Sequence, residues 1–436
     1  MSSSAVDSRR AAVERLVRFG RQRGAVAALS DGPRPGAETT LVLGSLRRRA
    51  TLDSVLSAYS TRKLIHLRPE TLAALRVGLF ELIFLDDAPA HAVINAAVDA
   101  ARKLGRFKDL GFVNAVLRQI MRSSKRVVPE EATDSRRSLP RGGFSILFQR
   151  SVFPDRNHDA AAFLAARAST AGWIAARRLD ELGFDRALAC LELQSSTPQM
   201  FLRPAPGELE SVRAVLPEAG LPVSDGPPEA LLARAPRVRA GEVFECCGDR
   251  VVIQDAVASR VAPFCGVERG WKVLDFCAAP GGKATHLAQL VGPEGSVRAW
   301  DASEPRLALV AENASRLGLE QLTCGPAEGE YDAVLVDAPC SNTGVLARRP
   351  EARWRVKERH LPGLAQRQLK ILKDAAPHVG PGKMLVYSTC SLESEENGGV
   401  VQAFLERGGF ALEQALTVRP DEGAGDGGFM ARMRRV

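Results

Sequence analysis

The first third of the chain repeats its apolar residues at the spacing of an amphipathic helix. In residues 71–85 they recur at intervals of three and four positions, and residues 91–104 and 112–121 repeat the pattern. No strand-like alternation lies between these segments, so the sequence predicts an all-helical bundle up to about Arg126. A polar, proline-bearing stretch over residues 127–156 predicts a linker, and helical periodicity returns after it.

Beyond residue 200 the pattern changes to short apolar runs separated by Pro and Gly. Residues 200–203, 243–245 and 250–254 are predicted strands of a small α/β segment. From residue 271 onward strand-like runs alternate with helical periodicities, which indicates a doubly wound, mainly parallel sheet. Its predicted strands are residues 272–276, 296–300, 321–324, 331–336 and 384–388, its predicted helices are residues 285–291, 304–317, 361–378 and 395–406, and residues 410–416 and 428–433 are predicted to add an antiparallel pair.

The composition is that of an ordinary folded protein. Hydrophobic residues make up 45% of the chain and charged residues 25%, which excludes a disordered or fibrous protein. No apolar run approaches the roughly 20 residues that span a bilayer, and no secretory signal is evident, so a cytoplasmic location is expected. The eight cysteines include no C-x-x-C pair, which disfavours a disulfide framework or a zinc ribbon and leaves a chemical role for any special cysteine.

The positive charge is concentrated in the helical third of the chain. Residues 1–126 contain 22 Lys and Arg against 11 Asp and Glu, a net charge of +11, whereas the remainder carries −3. A basic region of this kind is typical of proteins that bind a polyanion such as RNA or DNA. The alternative interpretation is an Arg-rich surface that only keeps the protein soluble.

A turn of small residues follows the predicted strand 272–276 and opens a helix. Small residues at the carboxyl end of a strand let a ligand approach backbone N–H groups, and this turn resembles the cofactor loop of S-adenosylmethionine methyltransferases. A phosphate-binding P-loop is excluded because Cys277 stands where that motif needs Gly and Ala284 where it needs Ser or Thr. The residues of the turn are Cys277, Ala278, Ala279, Pro280, Gly281, Gly282 and Lys283.

An acidic residue ends the next predicted strand. Asp301 lies about 20 residues downstream of the turn, where a carboxylate takes the ribose hydroxyls of an adenosine-bearing ligand. The competing interpretation is that Asp301 caps the helix beginning near Glu304. The position directly after a loop of the methyltransferase type favours the ribose role.

Two further strands are followed by cysteines. Asp337 and Cys340 come just after the strand 331–336, and Cys390 comes just after the strand 384–388. In a doubly wound sheet these strand ends point into the ligand crevice. A lone cysteine is most often an inert small hydrophobic residue, but two of them beside an acidic residue and a ligand loop favour chemistry.

These motifs together resemble the Sun-type RNA cytosine-5 methyltransferases, whose catalytic domain has a Rossmann-like class I methyltransferase fold. The resemblance is carried by Pro-Gly-Gly-Lys at 280–283, Asp-Ala-Pro-Cys-Ser at 337–341, Thr-Cys-Ser at 389–391 with Glu-Glu-Asn at 395–397, and Asp-Gly-Gly-Phe at 426–429. In the first third, Gly-Leu-Phe-Glu-Leu at 78–82, Pro-Ala-His-Ala at 89–92 and Phe-Val-Asn-Ala-Val-Leu-Arg at 112–118 resemble the NusB-like RNA-binding domain. This pairing is similar to the bacterial members of the family that act on small-subunit ribosomal RNA.

The resemblance implies a covalent mechanism. Cys390 is implied as the nucleophile that adds to carbon 6 of cytosine, and Cys340 as the residue that assists product release. Asp337 is implied to hold the nitrogen 3 and amino edge of the base. Lys283 is implied to position Asp337 and to lower the pKa of a nearby thiol.

The resemblance also assigns binding residues and domains. The turn 277–283, Asp301 and Asp337 are implied to bind S-adenosylmethionine, and Arg203 is implied to contact RNA. The predicted domains are a NusB-like helical RNA-binding domain at residues 1–127, a linker and helical connector at 128–195, a small α/β subdomain at 196–260 and the methyltransferase domain at 261–436.

The sequence departs from the family after its third strand. Pro326 occupies the region where the family usually offers an Asp to the adenine amino group, which leaves that contact unassigned, with a backbone carbonyl or Glu328 as the alternative partners. Gln254 and Asp255 match a segment that packs over the cofactor pocket in the family, and a helix cap is the alternative interpretation.

The predicted substrate is small-subunit ribosomal RNA. The protein is expected to act as a monomer, to need no metal ion and to have no membrane partner. One alternative is the same chemistry on transfer RNA or another RNA. Another is an RNA-binding assembly or antitermination factor with a degenerate methyltransferase domain, although both cysteines, Asp337 and Lys283 are retained. A DNA methyltransferase would use only the cysteine at position 340 and leave Cys390 unexplained.

Overall fold

The first third of the chain, whose apolar residues have helical spacing, folds into helices in a computed structural model of the protein. The structure describes residues 3–21, 36–85, 88–226, 231–233, 240–422 and 426–436. The chain divides into two units, Met1–Ser196 and Thr197–Val436. The finer boundaries predicted at residues 127, 195 and 260 remain predictions.

The first unit is mainly helical. None of its described helices, nor any in the described part of the second unit, is long and apolar enough to cross a membrane. Its elements are helices α1 (Ser3–Arg21), α2 (Ala37–Arg47), α3 (Arg49–Tyr59), α4 (Pro69–Phe84), α5 (Ala90–Lys103), α6 (Leu110–Arg122), α7 (Ala160–Arg167), α8 (Gly172–Leu182) and α9 (Phe184–Ser195), and strands β1 (Ser124–Val127), β2 (Ser138–Pro140) and β3 (Ser145–Phe148).

Helix α4 is the central element of the first unit. It contacts α1, α2, α3, α5 and α6, and its apolar residues point to every side, as expected of a buried helix. Glu81 is buried on this helix and pairs with Arg9 of α1, with 2.8 Å between Nε and Oε2. The pair is necessary because a buried carboxylate without a partner is strongly destabilising.

Two glycines allow the helices around α4 to approach closely. The ring of Phe80 on α4 lies directly against Gly44 of α2. A Cβ atom at Gly78 would lie 2.9 Å from a methyl group of Leu117 on α6 and 3.0 Å from the Cβ of Ala97 on α5. Both positions therefore require the absence of a side chain.

The stretch predicted as a linker contains a small antiparallel sheet. Its strand order is β1-β3-β2, and Leu139, Ile146 and Phe148 on it are buried. Each strand has only three or four residues, which is too short for alternation to stand out in the sequence. The prediction of an irregular linker was wrong here because these strands depend on packing rather than on local pattern.

The second unit begins with a four-stranded antiparallel sheet. Residues 243–245, predicted as a strand, belong to a helix, because Val243 and Cys247 are buried one helical turn apart against the same core. The elements are β4 (Met200–Pro204), β5 (Val223–Asp225), β6 (Leu231–Ala233) and β7 (Val251–Ile253) in the order β5-β6-β4-β7, with helices α10 (Leu209–Glu218) and α11 (Ala240–Cys247).

A seven-stranded sheet forms the rest of the second unit. Its strand order is β10-β9-β8-β11-β12-β14-β13, with β8 to β12 parallel and β13 and β14 antiparallel, as predicted. The strands are β8 (Lys272–Asp275), β9 (Ser296–Ala299), β10 (Leu322–Cys324), β11 (Tyr331–Asp337), β12 (Val379–Thr389), β13 (Phe410–Val418) and β14 (Gly428–Arg435), and the helices are α12 (Ala256–Phe264), α13 (Gly282–Val291), α14 (Glu304–Arg316), α15 (Ala352–Arg355), α16 (Leu361–Ala375) and α17 (Gly398–Leu405).

Successive residues of the central strands face two different cores. Val273 packs with α12, α13 and α14 on one side, whereas Leu274 packs with α16 and α17 on the other. Burial on both faces explains why these strands appear in the sequence as continuous apolar runs. The strand order reverses between β8 and β11, which opens a crevice at their carboxyl ends. The helical first unit and this sheet confirm the predicted fold class.

The close contact at Gly78 predicts a specific sensitivity of the first unit. Gly78→Ala should destabilise it by about 1–3 kcal/mol, because the added methyl group overpacks the contact with Leu117 and Ala97. Gly111→Ala on α6 is the matched control, since its Cβ would meet nothing within 4 Å and should leave stability unchanged or slightly higher. Thermal unfolding of the two variants tests the packing, and equal midpoints would contradict it.

Candidate active site

The turn after β8 is fastened to the end of β9. The backbone N–H of Ala278 donates to Trp300 O at 2.9 Å, and that of Ala279 donates to Asp301 Oδ2 at 3.3 Å. Gly281 precedes α13 with a φ of 108°, and a Cβ there would lie 3.2 Å from the Cα of Val310. Only glycine fits this combination of left-handed backbone and close approach.

The carboxylate of Asp301 serves two elements. Its Oδ2 accepts the hydrogen bond from Ala279, and its Oδ1 accepts one from the N–H of Ser303 at 3.0 Å, just before α14. Arg306 on that helix lies 3.8 Å away. The helix-start contact is therefore real, and the same carboxylate also faces the turn after β8.

Asp275 is a site residue that the sequence interpretation did not identify. It ends β8 and is fully buried; its Oδ1 accepts a weak hydrogen bond from Cys277 N at 3.4 Å. Its Oδ2 has no hydrogen-bond partner among the described residues. Burial, reinforced by the negative charge of Asp337, raises the pKa of Asp275 to about 7. The available signal was an acidic residue at the end of the first strand, directly before the turn.

Lys283 and Asp337 form an ion pair across the crevice. Lys283 Nζ lies 2.7 Å from Asp337 Oδ2, and Ser388 Oγ donates to Asp337 Oδ1 at 2.6 Å. Burial by itself would lower the pKa of Lys283, but the charge and hydrogen bond of Asp337 outweigh it, so the pKa is raised. The ammonium group therefore stays charged and links α13 to the end of β11.

The two predicted cysteines meet at the same edge of the sheet. Their Sγ atoms are 3.1 Å apart, and Asn342 Oδ1 accepts from Cys390 Sγ at 3.3 Å. The hydrogen bond with Cys390, followed by burial, raises the pKa of the Cys340 thiol well above its usual value. Cys340 therefore keeps its proton at neutral pH.

Asn342 adopts a left-handed backbone with a φ of 63°. Its side-chain Nδ2 donates to Cys340 O at 2.8 Å, so one amide group contacts both cysteine residues. Asparagine tolerates this conformation better than other non-glycine residues, and such conformations cluster at active sites. No local pattern in the sequence indicated this role.

Arg348 fastens the segment after the cysteine turn to two distant carboxylates. Its Nε lies 2.6 Å from Asp426 Oδ2 and its Nη2 lies 2.9 Å from Asp255 Oδ2. Asp255 also accepts from Val257 N at 2.8 Å and so caps α12. The helix-cap interpretation of Asp255 is confirmed, and packing over the cofactor pocket stays a prediction.

Arg203 lies inside the second unit and not at its surface. Its guanidinium donates to Gln254 Oε1 at 2.8 Å, to Thr285 Oγ1 at 3.2 Å, to Gly282 O at 3.3 Å and to Gln289. Only 3% of the residue is exposed. The RNA contact predicted for Arg203 is not what this geometry provides, because the group holds the first turns of α13 instead.

The structure thus brings Lys283, Asp337, Cys340 and Cys390 together at the carboxyl edge of β8, β11 and β12. The turn 277–281 and Asp301 lie along the same edge. Among the described residues, no group of three or more His, Cys, Asp or Glu side chains is arranged to hold a metal ion.

Comparison with known proteins matches both units. The family model described as 16S rRNA methyltransferase RsmB/F matches residues 266–433, and the model described as the NusB family matches residues 8–122. Ribosomal RNA small subunit methyltransferase B of Escherichia coli strain K12 is 32% identical over 419 residues, which cover 90% of this chain and 89% of the relative. The chain belongs to the RsmB/F family of methyltransferases. The recognition made from the sequence motifs is confirmed.

Solved structures share the fold of this RsmB/F-family methyltransferase. The crystal structure of PH0851 has a TM-score of 0.71 and 22% identity and covers 91% of this chain and 89% of its own. A methyltransferase homolog protein from Pyrococcus horikoshii has a TM-score of 0.56 and 24% identity, covering 64% and 99%. NSun6 from Pyrococcus horikoshii with SFG has a TM-score of 0.53 and 21% identity, covering 60% and 97%.

The raised pKa of Asp275 predicts a pH-dependent loss of stability. The folded state holds this proton more tightly than the unfolded chain, so stability falls as the pH rises from about 4 to about 7. At pH 8, Asp275→Asn removes the buried charge and should be more stable than the natural protein. The gain should be at most a few kcal/mol, which is the free energy that corresponds to the change in pKa.

Thermal unfolding at pH 5 and pH 8 measures this effect. Asp332→Asn is the control of opposite sign: although burial opposes it, the hydrogen bond from Lys383 lowers the pKa of Asp332, so that variant should lose stability at pH 8. A gain at pH 8 that is no larger than at pH 5 for Asp275→Asn would contradict the assignment.

Proposed function

We propose that this protein transfers a methyl group from S-adenosylmethionine to carbon 5 of a cytosine in 16S ribosomal RNA, through a covalent bond between Cys390 and the base. The observation that carries the proposal is the pair of thiols 3.1 Å apart beside the Lys283–Asp337 ion pair. Two thiols and an ion pair at one crevice suit a reaction in which a thiol adds to a ring and later leaves it.

The residues of the crevice fit S-adenosylmethionine. The turn 277–281 offers a close backbone approach, and Asp301 offers carboxylate oxygens for the ribose hydroxyls. The orphaned Oδ2 of buried Asp275 suits a cationic donor such as the ammonium group of the methionine part. When bound, S-adenosylmethionine supplies an electrophilic methyl carbon on a sulfonium.

Cys390 is the proposed nucleophile. Carbon 5 of cytosine is a poor nucleophile, and addition of the Cys390 sulfur to carbon 6 makes the ring enamine-like. The charged ammonium of Lys283 lies within electrostatic reach of the Cys390 sulfur. Cys340 suits this step less well, because its raised pKa keeps it protonated.

Asp337 is the proposed partner of the base. With one oxygen bound by Lys283 and the other by Ser388, its carboxylate is held at the crevice. From there it can hold the nitrogen 3 and amino edge of cytosine and favour protonation as the adduct forms. A flipped-out or single-stranded base is required, because an edge buried in a stack is out of reach.

Cys340 is the proposed residue for product release. Release removes the proton from carbon 5 while the bond between carbon 6 and Cys390 breaks. The interactions with Cys390 that raise the pKa of Cys340 weaken once the Cys390 sulfur is bonded to carbon. Cys340 can then release its own proton to solvent more readily, and the resulting thiolate takes the proton from carbon 5 as Cys390 leaves carbon 6.

The relatives and the charge of the chain support the RNA assignment. The E. coli relative is named a ribosomal RNA small subunit methyltransferase, and residues 8–122 match the NusB family. The net charge of +11 over residues 1–126 suits binding to the phosphate backbone of RNA. Because a ribosomal RNA methyltransferase acts where ribosomal RNA is modified, we assign the protein to the cytoplasm.

Methylation of purified RNA tests the function directly. The full-length protein, S-adenosylmethionine and 16S ribosomal RNA from a strain lacking the enzyme should give one new 5-methylcytosine, detected by bisulfite sequencing. Transfer RNA from the same strain is the competing substrate. Methylation of transfer RNA alone would move the substrate assignment, and methylation of neither would refute the function.

Two neighbouring glycines test the cofactor loop. Gly281→Ala should weaken S-adenosylmethionine binding by about tenfold or more, since a left-handed conformation costs a non-glycine residue about 1–3 kcal/mol. Gly282→Ala is the matched control, because its Cβ would meet only Gln254, at 3.6 Å or more. Calorimetric titration measures both affinities, and unchanged binding by Gly281→Ala would remove the loop from the cofactor site.

Substitution of each cysteine separates their roles. Cys390→Ala should abolish methyl transfer, a loss of several orders of magnitude for a covalent nucleophile. Cys340→Ala should still form the adduct but release it slowly, so a denaturing gel should display protein-linked RNA. That band should vanish in the double variant. The reverse pattern would exchange the two roles, and full activity of both variants would exclude covalent catalysis.

A further inference from the structure

One buried carboxylate contacts the turns that carry both cysteines but is not among the groups that the proposed reaction uses. Glu396 lies in the turn between β12 and α17 and is completely buried. The helix predicted to begin at residue 395 begins at Gly398 instead, and the preceding turn is held by side-chain hydrogen bonds. The mechanism proposed above assigns Glu396 no role.

Glu396 binds the residue that follows each cysteine. Its Oε1 accepts from Ser341 N at 2.9 Å and from Gln368 Nε2 at 2.8 Å. Its Oε2 accepts from Ser391 Oγ at 2.6 Å and from Ser341 Oγ. Ser341 directly follows Cys340 and Ser391 directly follows Cys390, so a single group connects the two cysteine turns.

The position of Glu396 is itself fixed. Its carbonyl accepts from Tyr387 Oη at 2.7 Å. The next residue, Asn397, accepts from Thr389 Oγ1 at 2.6 Å and donates to Ser391 O at 3.0 Å. These bonds fasten the turn to the end of β12, so the carboxylate is a rigid reference for both serines.

The burial of this charge indicates more than ordinary packing. In the described part of the chain no Lys, Arg or His side chain forms an ion pair with Glu396, and its oxygens are satisfied by neutral donors. A buried carboxylate without a cation is costly and needs several well-placed donors. Here those donors come from both cysteine turns and from Gln368 on α16.

We propose that Glu396 is a positioning residue that sets the separation of the Cys340 and Cys390 thiols by anchoring the residue after each of them. Two sulfurs that act in turn on one pyrimidine must each lie within bonding reach of it. A displacement of about 1 Å can cost about 100-fold in rate. The catalytic consequence rests on the proposed function, whereas the geometry of the thiols does not.

The thiol separation can be measured without RNA. Phenylarsine oxide bridges two neighbouring thiols: arsenic forms two bonds to sulfur, and its oxygen leaves as water with the two thiol protons. The full-length protein should capture the reagent across Cys340 and Cys390, identified by peptide mass. The adjacent Cys246 and Cys247 are a second possible site, so Cys340→Ala provides the background.

Substitutions at Glu396 then test the anchor. Glu396→Ala should lose the arsenical bridge and lower kcat by about 100-fold, with the KM for S-adenosylmethionine unchanged. Glu396→Gln should retain most of both, because its amide oxygen still accepts and its NH₂ group can donate to the two serine hydroxyl oxygens. Glu406→Gln, an exposed carboxylate on the same segment of chain, is the control for a loss of charge alone.

The outcomes separate positioning from function. Undiminished bridging by folded Glu396→Ala, failure of Glu396→Gln equal to that of Glu396→Ala, or no bridge in the natural protein would each overturn the proposal. If Glu396→Ala does not fold, the double variant Ser341→Ala with Ser391→Ala removes both hydroxyl donors and should lose the bridge likewise. If Glu396→Ala loses the bridge but the natural protein never methylates RNA, the anchoring role of Glu396 stands and the proposed function is refuted.

Discussion

Parallel strands bring their carboxyl ends to one edge of a sheet, and the site of this protein depends on that constraint. Strands β8, β11 and β12 are neighbours, so the turn at residues 277–281, Asp337 and Cys390 converge although more than 100 residues of sequence separate the first from the last. Burial on both faces keeps these strands in register, since a slip of one residue would exchange the two cores. The ion pair of Lys283 with Asp337 then joins the helix after β8 to the end of β11.

Polar groups beneath the crevice support the side chains to which the proposed mechanism assigns roles. The guanidinium of Arg203, whose pKa burial lowers to about 10, connects strand β4 to the first turns of α13. Arg348 connects the segment after Cys340 to Asp255 and Asp426. The four-stranded antiparallel sheet of the second unit is thereby fastened to the start of α13. A buried polar network specifies one arrangement only when every member has its hydrogen-bond partners. This requirement explains why many of these side chains make two or more hydrogen bonds.

The two thiols differ because their surroundings differ. Cys340 is kept protonated by its contact with Cys390 and by burial, while Cys390 contacts Asn342 and lies within the field of Lys283. Asymmetry of this kind allows two identical side chains to serve different steps. The left-handed backbone of Asn342 is the local distortion that lets one amide reach both cysteine residues.

The sequence by itself determined the helical first unit, the alternating second unit, the strand ends and the lysine, aspartate and two cysteines that meet at the crevice, because periodicity and turn chemistry are local properties of the chain. Folding decided what depends on distant partners. The strands of residues 124–148 and the helix at 240–247 follow from packing, and Arg203 is buried by groups up to 86 residues away. The bond between Ser341 and Glu396 spans 55 residues, and the unpaired oxygen of Asp275 is defined by neighbours from other strands and helices. A single residue's letter cannot encode such contacts, since burial and pairing are properties of the assembled core.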